Sequence, residues 1–313
     1  GFNSEQFILT GSIRHLLQPI NGKTPLTQLD APNEKQLYSQ LGLPLLPPEL
    51  REGYAEKSMT ADRLEMLLKP EDIRGVIHCH STWSDGLNTI REMAESSINQ
   101  GYEYLGLTDH SKSAYFYANG LYEERVLKQM EEIEELNKEL SPFRIFKGIE
   151  SDILVDGSLD FENEILEKFD FIVASIHGGI TNDIEKITKR LLKVVENPFT
   201  TIMGHLTGRL LLMREGYPVD HKTIIDACAA NGVIIEINAH PRRLDLDWRW
   251  VHYAMEKGVM LSVNPDAHRT EGIDDIQWGV WSGRKGGLTR ELTFNTKTVS
   301  EVEAYLKERK ARH

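Results

Sequence analysis

From residue 75 onward, short apolar runs of strand length alternate with segments of helical pattern. The runs span residues 76–80, 103–108, 143–149, 170–176, 200–204, 232–237 and 259–263. Between them, hydrophobic residues recur at helical spacing in the sets Ile90, Met93, Ala94 and Ile98, then Val126, Met130 and Ile133, then Ile184, Ile187 and Leu191. Parallel neighbouring strands need a crossover of about a dozen residues, which the helical segments supply. The alternation predicts an α/β fold, a closed or nearly closed barrel of seven βα units.

Every run ends in side chains that can bind a metal or form hydrogen bonds. In chain order these are His78 and His80, Asp109 and His110, Glu150 and Asp152, His177, His205, Glu236 and Asn238, and Asp266 and His268. Barrel enzymes of this class place their chemistry at the C-terminal strand ends, so the pattern predicts a site at one mouth of the barrel. Because side chains alternate along a strand, His78 and His80 should share a face, as should Asp266 and His268.

The candidate ligands are too many for one ion. Six histidines and, with Asp85 counted, three carboxylates suit two or three ions that share a bridging carboxylate. Mixed histidine and carboxylate sets favour zinc, manganese or iron over magnesium and calcium, so we expect two to three divalent transition metals. Strand alternation predicts that Asp109 is a cap or supports a ligand, and that Lys147 faces outward. Glu236 is expected to be buried but paired, with Asn238 nearer the mouth.

Charge and composition limit the classes of partner. The 313 residues carry a formal net charge of −12, which argues against a broad basic surface for nucleic acid. Bound divalent ions would offset part of this deficit and concentrate positive potential in one cleft. No apolar run approaches the roughly 18 residues of a membrane span, so we expect no membrane partner. The two cysteines, Cys79 and Cys228, are far apart, which favours a reducing cytoplasm.

Residues 1–74 have a different character. Residues 24–48 are rich in proline, asparagine and glutamine, with one predicted helix over Asn33–Leu41 and a proline-rich run over Leu43–Pro48 that favours extended backbone. This composition indicates an arm laid across a larger body, without a hydrophobic core of its own.

The motifs at the strand ends resemble those of a known family. They are His78–Gly86, Thr108–Lys112, Gly148–Glu150, Ser175–His177, Gly204–Arg209, Glu236–Ala239 and Pro265–His268. Together they resemble the PHP (polymerase and histidinol phosphatase) superfamily, and more closely the C-terminal PHP domain of bacterial family X DNA polymerases. The resemblance covers about residues 70 to 308. It implies a distorted seven-stranded (β/α)7 TIM-like barrel with an N-terminal arm, a trinuclear metal site and phosphoesterase activity.

The resemblance also implies site residues and a domain division. The implied metal ligands are His78, His80, Asp85, His110, Glu150, His177, His205, Asp266 and His268. Of these, Asp85, His110, Glu150 and His177 are the predicted catalytic residues. Residues 1–74 resemble the end of a polymerase domain and its linker, and residues 75–313 the PHP barrel. Paired carboxylates of a polymerase palm are absent from this sequence, so the natural protein is expected either to carry a polymerase domain upstream or to have lost it.

The predicted reaction is hydrolysis of a phosphate ester. The substrate is expected to be a DNA 3′ end, giving 3′–5′ exonuclease or 3′-phosphatase activity, or a small phosphomonoester as in histidinol phosphatases. Basic residues that follow strand ends closely are the candidates for binding phosphate: Lys112, Arg209, Arg242 and Arg269. Two alternatives remain, a metal-dependent amidohydrolase and a non-catalytic module in which metals only stabilise a fold attached to a polymerase.

Overall fold

The computed structural model describes residues 10–17, 25, 31–54 and 59–311. Its sheet has seven parallel strands, each paired with the next along the chain. They are β1 (Gly75–Cys79), β2 (Tyr104–Leu107), β3 (Arg144–Asp152), β4 (Phe171–Ser175), β5 (Ile202–Met203), β6 (Ile234–Asn238) and β7 (Leu261–Asn264). A parallel bridge between Cys79 and Ala267 brings the segment after β7 back to β1. The sheet is therefore nearly closed, and the predicted fold, a distorted (β/α)7 barrel, is confirmed.

Helices cover the outside of the barrel and form much of the N-terminal segment. The described α-helices are α1 (Ile13–Leu17), α2 (Glu34–Gln40), α3 (Ala61–Met66), α4 (Ile90–Asn99), α5 (Tyr115–Ala118), α6 (Glu123–Glu139), α7 (Asn163–Leu166), α8 (Ile184–Val195), α9 (His221–Asn231), α10 (Trp248–Glu256), α11 (Ile276–Lys285) and α12 (Val299–Lys310). Among the described residues, no helix combines the length and the apolar character that crossing a membrane requires.

Several helices begin at side-chain caps that the sequence contains. Thr89 accepts a hydrogen bond from the backbone of Glu92 at the start of α4, and the Glu92 side chain reaches back to Thr89. Thr298 and Glu301 form the same reciprocal pair at the start of α12. These contacts satisfy backbone N–H groups that have no partner within the first turn, so each helix begins directly after its cap.

The buried helix faces follow the predicted patterns except at two helix ends. Ile98, in the last turn of α4, is 38% exposed, and Ile184, the first residue of α8, is 45% exposed. The other predicted positions are buried against the outer face of the sheet: Ile90, Met93, Ala94, Val126, Met130, Ile133, Ile187 and Leu191.

The side chains inside the barrel form two layers. The lower layer, towards the N-terminal strand ends, is an apolar cluster that contains Ile77, Tyr104, Phe146, Phe171, Val173, Ile202 and Ile234. Val302 and Leu306 of α12 join this cluster and close the lower end of the barrel. Glycines make room for the ring of Phe171, because a Cβ atom on Gly106 or Gly148 would lie 2.8 or 2.4 Å from its Cζ. The upper layer is polar.

The N-terminal segment contains a small core, contrary to the prediction from its composition. Its buried residues are Leu16, Ala31, Leu37, Tyr38, Leu41, Leu46, Leu50, Met59 and Leu67. The predicted helix over Asn33–Leu41 is present as α2, with Asn33 as its N-cap and Leu41 as its C-cap. Leucines before and after the proline-rich run meet because that run folds back over α2. Composition alone does not predict this contact.

Charged contacts join this segment to the barrel. Glu49 accepts hydrogen bonds from the Arg284 guanidinium at 2.6 and 2.8 Å, and Lys285 lies 2.7 Å from Glu52. The backbone N–H of Leu68 donates to Leu288 at 2.9 Å. The segment is thus an arm held against α11 and the loop that follows it, as predicted.

Candidate metal centre

A bulge at the end of β1 brings two histidines to the barrel mouth. Ile77 pairs with Gly106 and Cys79 pairs with Leu107, so His78 is an extra residue in the ladder. Its backbone has φ +65°, a left-handed conformation that costs a residue with a Cβ atom about 1 to 3 kcal/mol. Cys79 packs towards the helices, while His78 and His80 both face the mouth. The predicted pairing is therefore present, but it results from the bulge and not from regular alternation.

The chain after β7 supplies the adjacent wall of the site. Asp266 also has a left-handed backbone, with φ +53°, and its Oδ1 lies 3.2 Å from Nε2 of His80. The ring of His268 stacks on that of His80 at 4.1 Å between centroids. β1 and β7 thus contribute to one site, where the barrel closes.

The nine predicted ligands converge in three groups. In the first, Nε2 atoms of His78 and His80 lie between 3.2 and 3.6 Å from carboxylate oxygens of Glu150 and Asp266. In the second, Nε2 atoms of His177 and His205 lie 3.3 and 2.9 Å from Oε1 of Glu150.

The third group lies nearer the solvent. Nε2 atoms of His110 and His268 lie 3.7 and 3.4 Å from Oδ1 of Asp85, whose side chain is 33% exposed. Nδ1 of His110 is also 3.0 Å from Oε2 of Glu150. Glu150 therefore stands at the centre of the whole cluster.

Several buried ring nitrogens in this cluster form no hydrogen bond within the described part of the chain, although carboxylate oxygens lie near some of them. They are Nε2 of His78, both nitrogens of His80, Nδ1 of His110 and Nδ1 of His205. Buried polar atoms are normally paired, because an unpaired one costs about 1 to 3 kcal/mol. Unpaired imidazole nitrogens beside carboxylates are the donor set that zinc, manganese and iron prefer. The residues present therefore fit two or three such ions.

Hydrogen bonds fix the orientation of three of the histidines. Nδ1 of His78 contacts Glu236 at 2.5 Å, Nδ1 of His177 contacts Asp152 at 2.5 Å, and Nδ1 of His268 contacts the carbonyl of Asp266 at 2.9 Å. Each contact leaves Nε2 directed at the cluster, as metal-binding histidines require.

Glu236 organises the inner wall of the site. It is fully buried, and besides His78 it accepts hydrogen bonds from the backbone N–H of His205 at 2.6 Å and from Asn264 at 2.8 Å. Asn238 donates to Glu236 at 3.2 Å and to Asp266 at 3.0 Å. The prediction that Glu236 is buried but paired is confirmed.

The electrostatics of the cluster divide its histidines into two classes. Burial opposes the charged form of His177, yet the carboxylates of Glu150 and Asp152 raise its pKa to about 10. Burial likewise opposes charge on His268, but Asp85 and Asp266 raise its pKa to about 9. Burial lowers the pKa of His110 to about 4, and burial together with the charge of His268 lowers the pKa of His80. In the metal-free cluster, protons on some histidines thus balance the carboxylates.

The carboxylates respond in the opposite direction. Burial alone would raise the pKa of Glu150, but the charges of His177 and His78 hold it well below its usual range. The pKa of Asp266 is held down in the same way against burial, by His78 and His80. Both groups are therefore ionised and available as ligands at neutral pH.

Asp109 holds the loop that carries Asp85. Its Oδ1 accepts hydrogen bonds from the backbone of Ser81 at 2.8 Å and from the hydroxyl of Ser84 at 2.5 Å. The same loop needs Gly86, because a Cβ atom there would lie 2.7 Å from the backbone of Ser81. The predictions for Asp109 as a cap and for Lys147 as an outward residue, paired with Glu134 at 3.1 Å, are confirmed.

Three of the four basic residues predicted to bind phosphate contact groups outside the ligand cluster. Lys112 pairs with Glu123 at 2.9 Å, and Arg209 pairs with Asp247 at 2.7 Å. Arg242 contacts the sulfur of Met213 at 3.5 Å, and Arg269 is exposed.

Arg243, which the sequence analysis did not select, contacts the cluster directly. Its Nε lies 3.3 Å from Oδ2 of Asp266, and its side chain is 17% exposed. The signal was the pair Arg242 and Arg243 after β6, of which only one can turn inward.

Comparisons with known proteins agree with this geometry. The PHP domain family matches residues 77–240. The DNA polymerase/3′-5′ exonuclease PolX of Bacillus subtilis is 43% identical over 276 residues, which cover 88% of this chain and 48% of that protein. This chain thus spans about half the length of that relative. A probable phosphatase of Thermoanaerobacter sp. is 28% identical over 244 residues, covering 74% of this chain and 94% of that protein.

A solved structure supports the fold. Histidinol phosphate phosphatase from Lactococcus lactis, crystallised with zinc, L-histidinol and phosphate, aligns with a TM-score of 0.51 at 20% identity. The alignment covers 68% of this chain and 94% of that one. With the family match over more than half of its length, the seven-stranded barrel and the strand-end motifs, this chain belongs to the PHP domain family.

Proposed function

We propose that this chain hydrolyses phosphate esters at DNA 3′ ends, with two or three transition-metal ions held by the nine clustered residues. The predicted enzyme class, a metal-dependent hydrolase of phosphate esters, is confirmed by the family and by relatives named as phosphatases and as an exonuclease. The observation that carries the metal proposal is the set of unpaired buried imidazole nitrogens around Glu150.

In this proposal, His78, His80 and Asp266 would hold one ion, and His110, Glu150 and His177 would hold a second, with His205 beside Glu150. His80, Asp85, His110 and His268 would hold a third. Bound ions would lower the pKa of a coordinated water from about 15.7 towards 7 and offset the charge of the phosphate.

The chain's own residues supply orientation and charge. Asp152 and Glu236 fix the rings of His177 and His78. Arg243, beside Asp266, is the cation best placed to contact a bound phosphate.

The DNA substrate is supported by the relative named PolX, and the small-molecule alternative by the probable phosphatases. The PolX relative has the higher identity, 43% against 28%, but this chain matches only 48% of it and nearly the whole of the phosphatase. A small phosphomonoester is therefore the second candidate.

We also propose that residues 1–74 are the end of a polymerase domain with its linker, that residues 75–313 are the PHP barrel, and that a polymerase domain precedes them in the natural protein.

The test combines metal analysis with an end-labelled substrate. Manganese-loaded protein should contain two to three equivalents of metal and should shorten a 5′-labelled single strand from its 3′ end. Because the chain is acidic, the salt dependence should be shallow, with each neutralised phosphate adding roughly −0.7 to the slope. Asp266→Asn should abolish the reaction, while Glu303→Gln, at an exposed position of α12 at the other end of the barrel, should not.

Three results would contradict the proposal. One equivalent of metal or less in a fully reconstituted sample would exclude the multinuclear site. Cleavage inside long duplexes with a steep salt slope would exclude end trimming. Hydrolysis of small phosphomonoesters alone would favour the second candidate.

A further inference from the structure

The loop after β2 carries aromatic side chains that the metal centre does not use. Tyr115, Phe116 and Tyr117 open the short helix α5, directly after the ligand His110 and the turn that follows it. They are 42%, 94% and 60% exposed. An almost fully exposed phenylalanine between two exposed tyrosines, beside a polar cleft, points to a ligand with an aromatic or apolar surface.

Tyr117 links this aromatic group to the metal centre. Its ring centroid lies 6.5 Å from that of His110 and 6.4 Å from that of His177, edge-on to both. Its hydroxyl donates to Asp152 at 3.4 Å, the carboxylate that also holds His177. The ring is therefore fixed at the edge of two candidate ligands, and the exposed Phe116 precedes it in the chain and contacts Tyr115 at 5.5 Å between ring centroids.

The charges around the mouth favour a ligand that gains affinity by stacking. The predicted phosphate-binding cations Lys112 and Arg209 are paired with carboxylates, and the chain carries a net charge of −12. Few phosphates away from the metal centre can then be neutralised, so the bases are a second source of affinity for a nucleic acid end. Aromatic side chains supply this, because every base has a flat face that stacks on them.

We infer that Phe116 and Tyr117 form a platform that stacks on the nucleobase next to the scissile phosphate. The inference rests on the proposed function and adds to it how the base of the terminal nucleotide is recognised. It makes Phe116 and Tyr117 specificity-determining residues, with Tyr117 held in place by Asp152 and Phe116 free to adjust to each base.

The experiment compares two substrates in each variant of the manganese-loaded protein. One is a single strand with a normal nucleotide and a 3′-phosphate at its end, and the other is the same strand with an abasic residue at that position. For the unaltered chain, the ratio of kcat/KM between the two should be about tenfold or more. Phe116→Ala and Tyr117→Ala should each lower this ratio towards one, whereas Tyr117→Phe should keep most of it.

Ile98→Ala is the matched control, because Ile98 is an exposed apolar residue at the far end of α4, and it should leave the ratio unaltered. A ratio near one in the unaltered chain, or a ratio that Phe116→Ala leaves unchanged, would overturn the platform while hydrolysis itself continues. A change of oligomeric state in Phe116→Ala, without a change in the ratio, would also overturn it and would assign this surface to a second copy of the chain. Absence of hydrolysis with both strands and with glycerol phosphate would instead refute the proposed function.

Discussion

The lower and upper layers of the barrel interior are formed by the same strands but differ in the side chains they bury, apolar in the lower layer and polar in the upper one. In the lower layer, Phe171 fills space left by Gly106 and Gly148 in an apolar cluster closed by α12. One residue further along β1, Ile77 gives way to His78, and the interior becomes a set of buried charges and imidazoles. The lower layer is held by apolar packing, although the Tyr104 hydroxyl is buried there without a hydrogen-bond partner among the described residues. The upper layer leaves ring nitrogens unpaired in the described chain, and this marks it as the functional end.

This difference indicates that stability depends mainly on the lower layer and function on the upper layer. Regular strand geometry holds the lower layer, whereas the upper layer contains the left-handed residues His78 and Asp266. Backbone strain of this kind persists only where surrounding contacts fix it, and it concentrates at functional sites. Substitutions in the two layers should therefore affect different observables.

The largest effect is expected from Glu150, which stands at the centre of the cluster. Glu150→Gln removes the charge at the centre of the ligand cluster, so phosphate ester hydrolysis should fall about a thousandfold, since a metal ion contributes several kcal/mol to the transition state. Steady-state kinetics with manganese measures this. Glu134→Gln, an exposed partner of Lys147, is the control. A loss below tenfold would show that Glu150 is not essential.

The second prediction concerns a substitution in the lower layer, where stability and not metal binding should change. Phe171→Ala should lower the free energy of unfolding by about 3 to 5 kcal/mol, because it leaves a cavity under the glycines of β2 and β3. Urea denaturation measures this, and the folded protein should still bind its full complement of metal. Phe116→Ala, at an exposed aromatic, should leave the unfolding free energy nearly unchanged. Loss of metal without loss of stability would mean that the two layers are not separable.

A smaller effect is expected from Glu236, which contacts ligands without belonging to the proposed set. Glu236→Gln keeps the shape of the side chain but weakens its hold on His78 and on the backbone of His205. Partners of metal ligands typically contribute about 10- to 100-fold to affinity or activity. Competition with a chromogenic chelator would measure the affinity, with Glu256→Gln on α10 as the control. An unchanged affinity would reduce Glu236 to a packing role.

Much of this arrangement could be predicted from the sequence. The alternation of apolar runs and helical patterns predicted the barrel, because period and spacing are local properties of the chain. The strand ends predicted which residues meet, since parallel strands bring their C-terminal ends to one mouth. The β1 bulge could not be predicted, because the surrounding fold determines the left-handed backbone of His78. The same holds for Arg243, whose inward turn depends on Asp266, and for the N-terminal core around Tyr38.

The last prediction concerns protons and uses the two classes of histidine in the upper layer. In the metal-free protein, burial opposes charge on His78, His177 and His268, but nearby carboxylates raise the pKa of all three, to about 10 for His177 and about 9 for His268. His177 and His268 are therefore protonated at pH 7.5 and must lose a proton to bind a metal. His80 and His110 have lowered pKa values and release none.

Loading the protein with manganese at pH 7.5 should therefore release at least about two protons, and metal affinity should increase with pH. A raised pKa stabilises the metal-free fold fully below about pH 6.5, and this contribution is lost as the pH rises through about 9 to 10. Titration calorimetry in buffers of different ionisation enthalpy counts the protons, and His268→Asn should release about one fewer. Release of no protons would mean that all the ligands are already neutral, so the balance of charges inferred for the upper layer would be wrong.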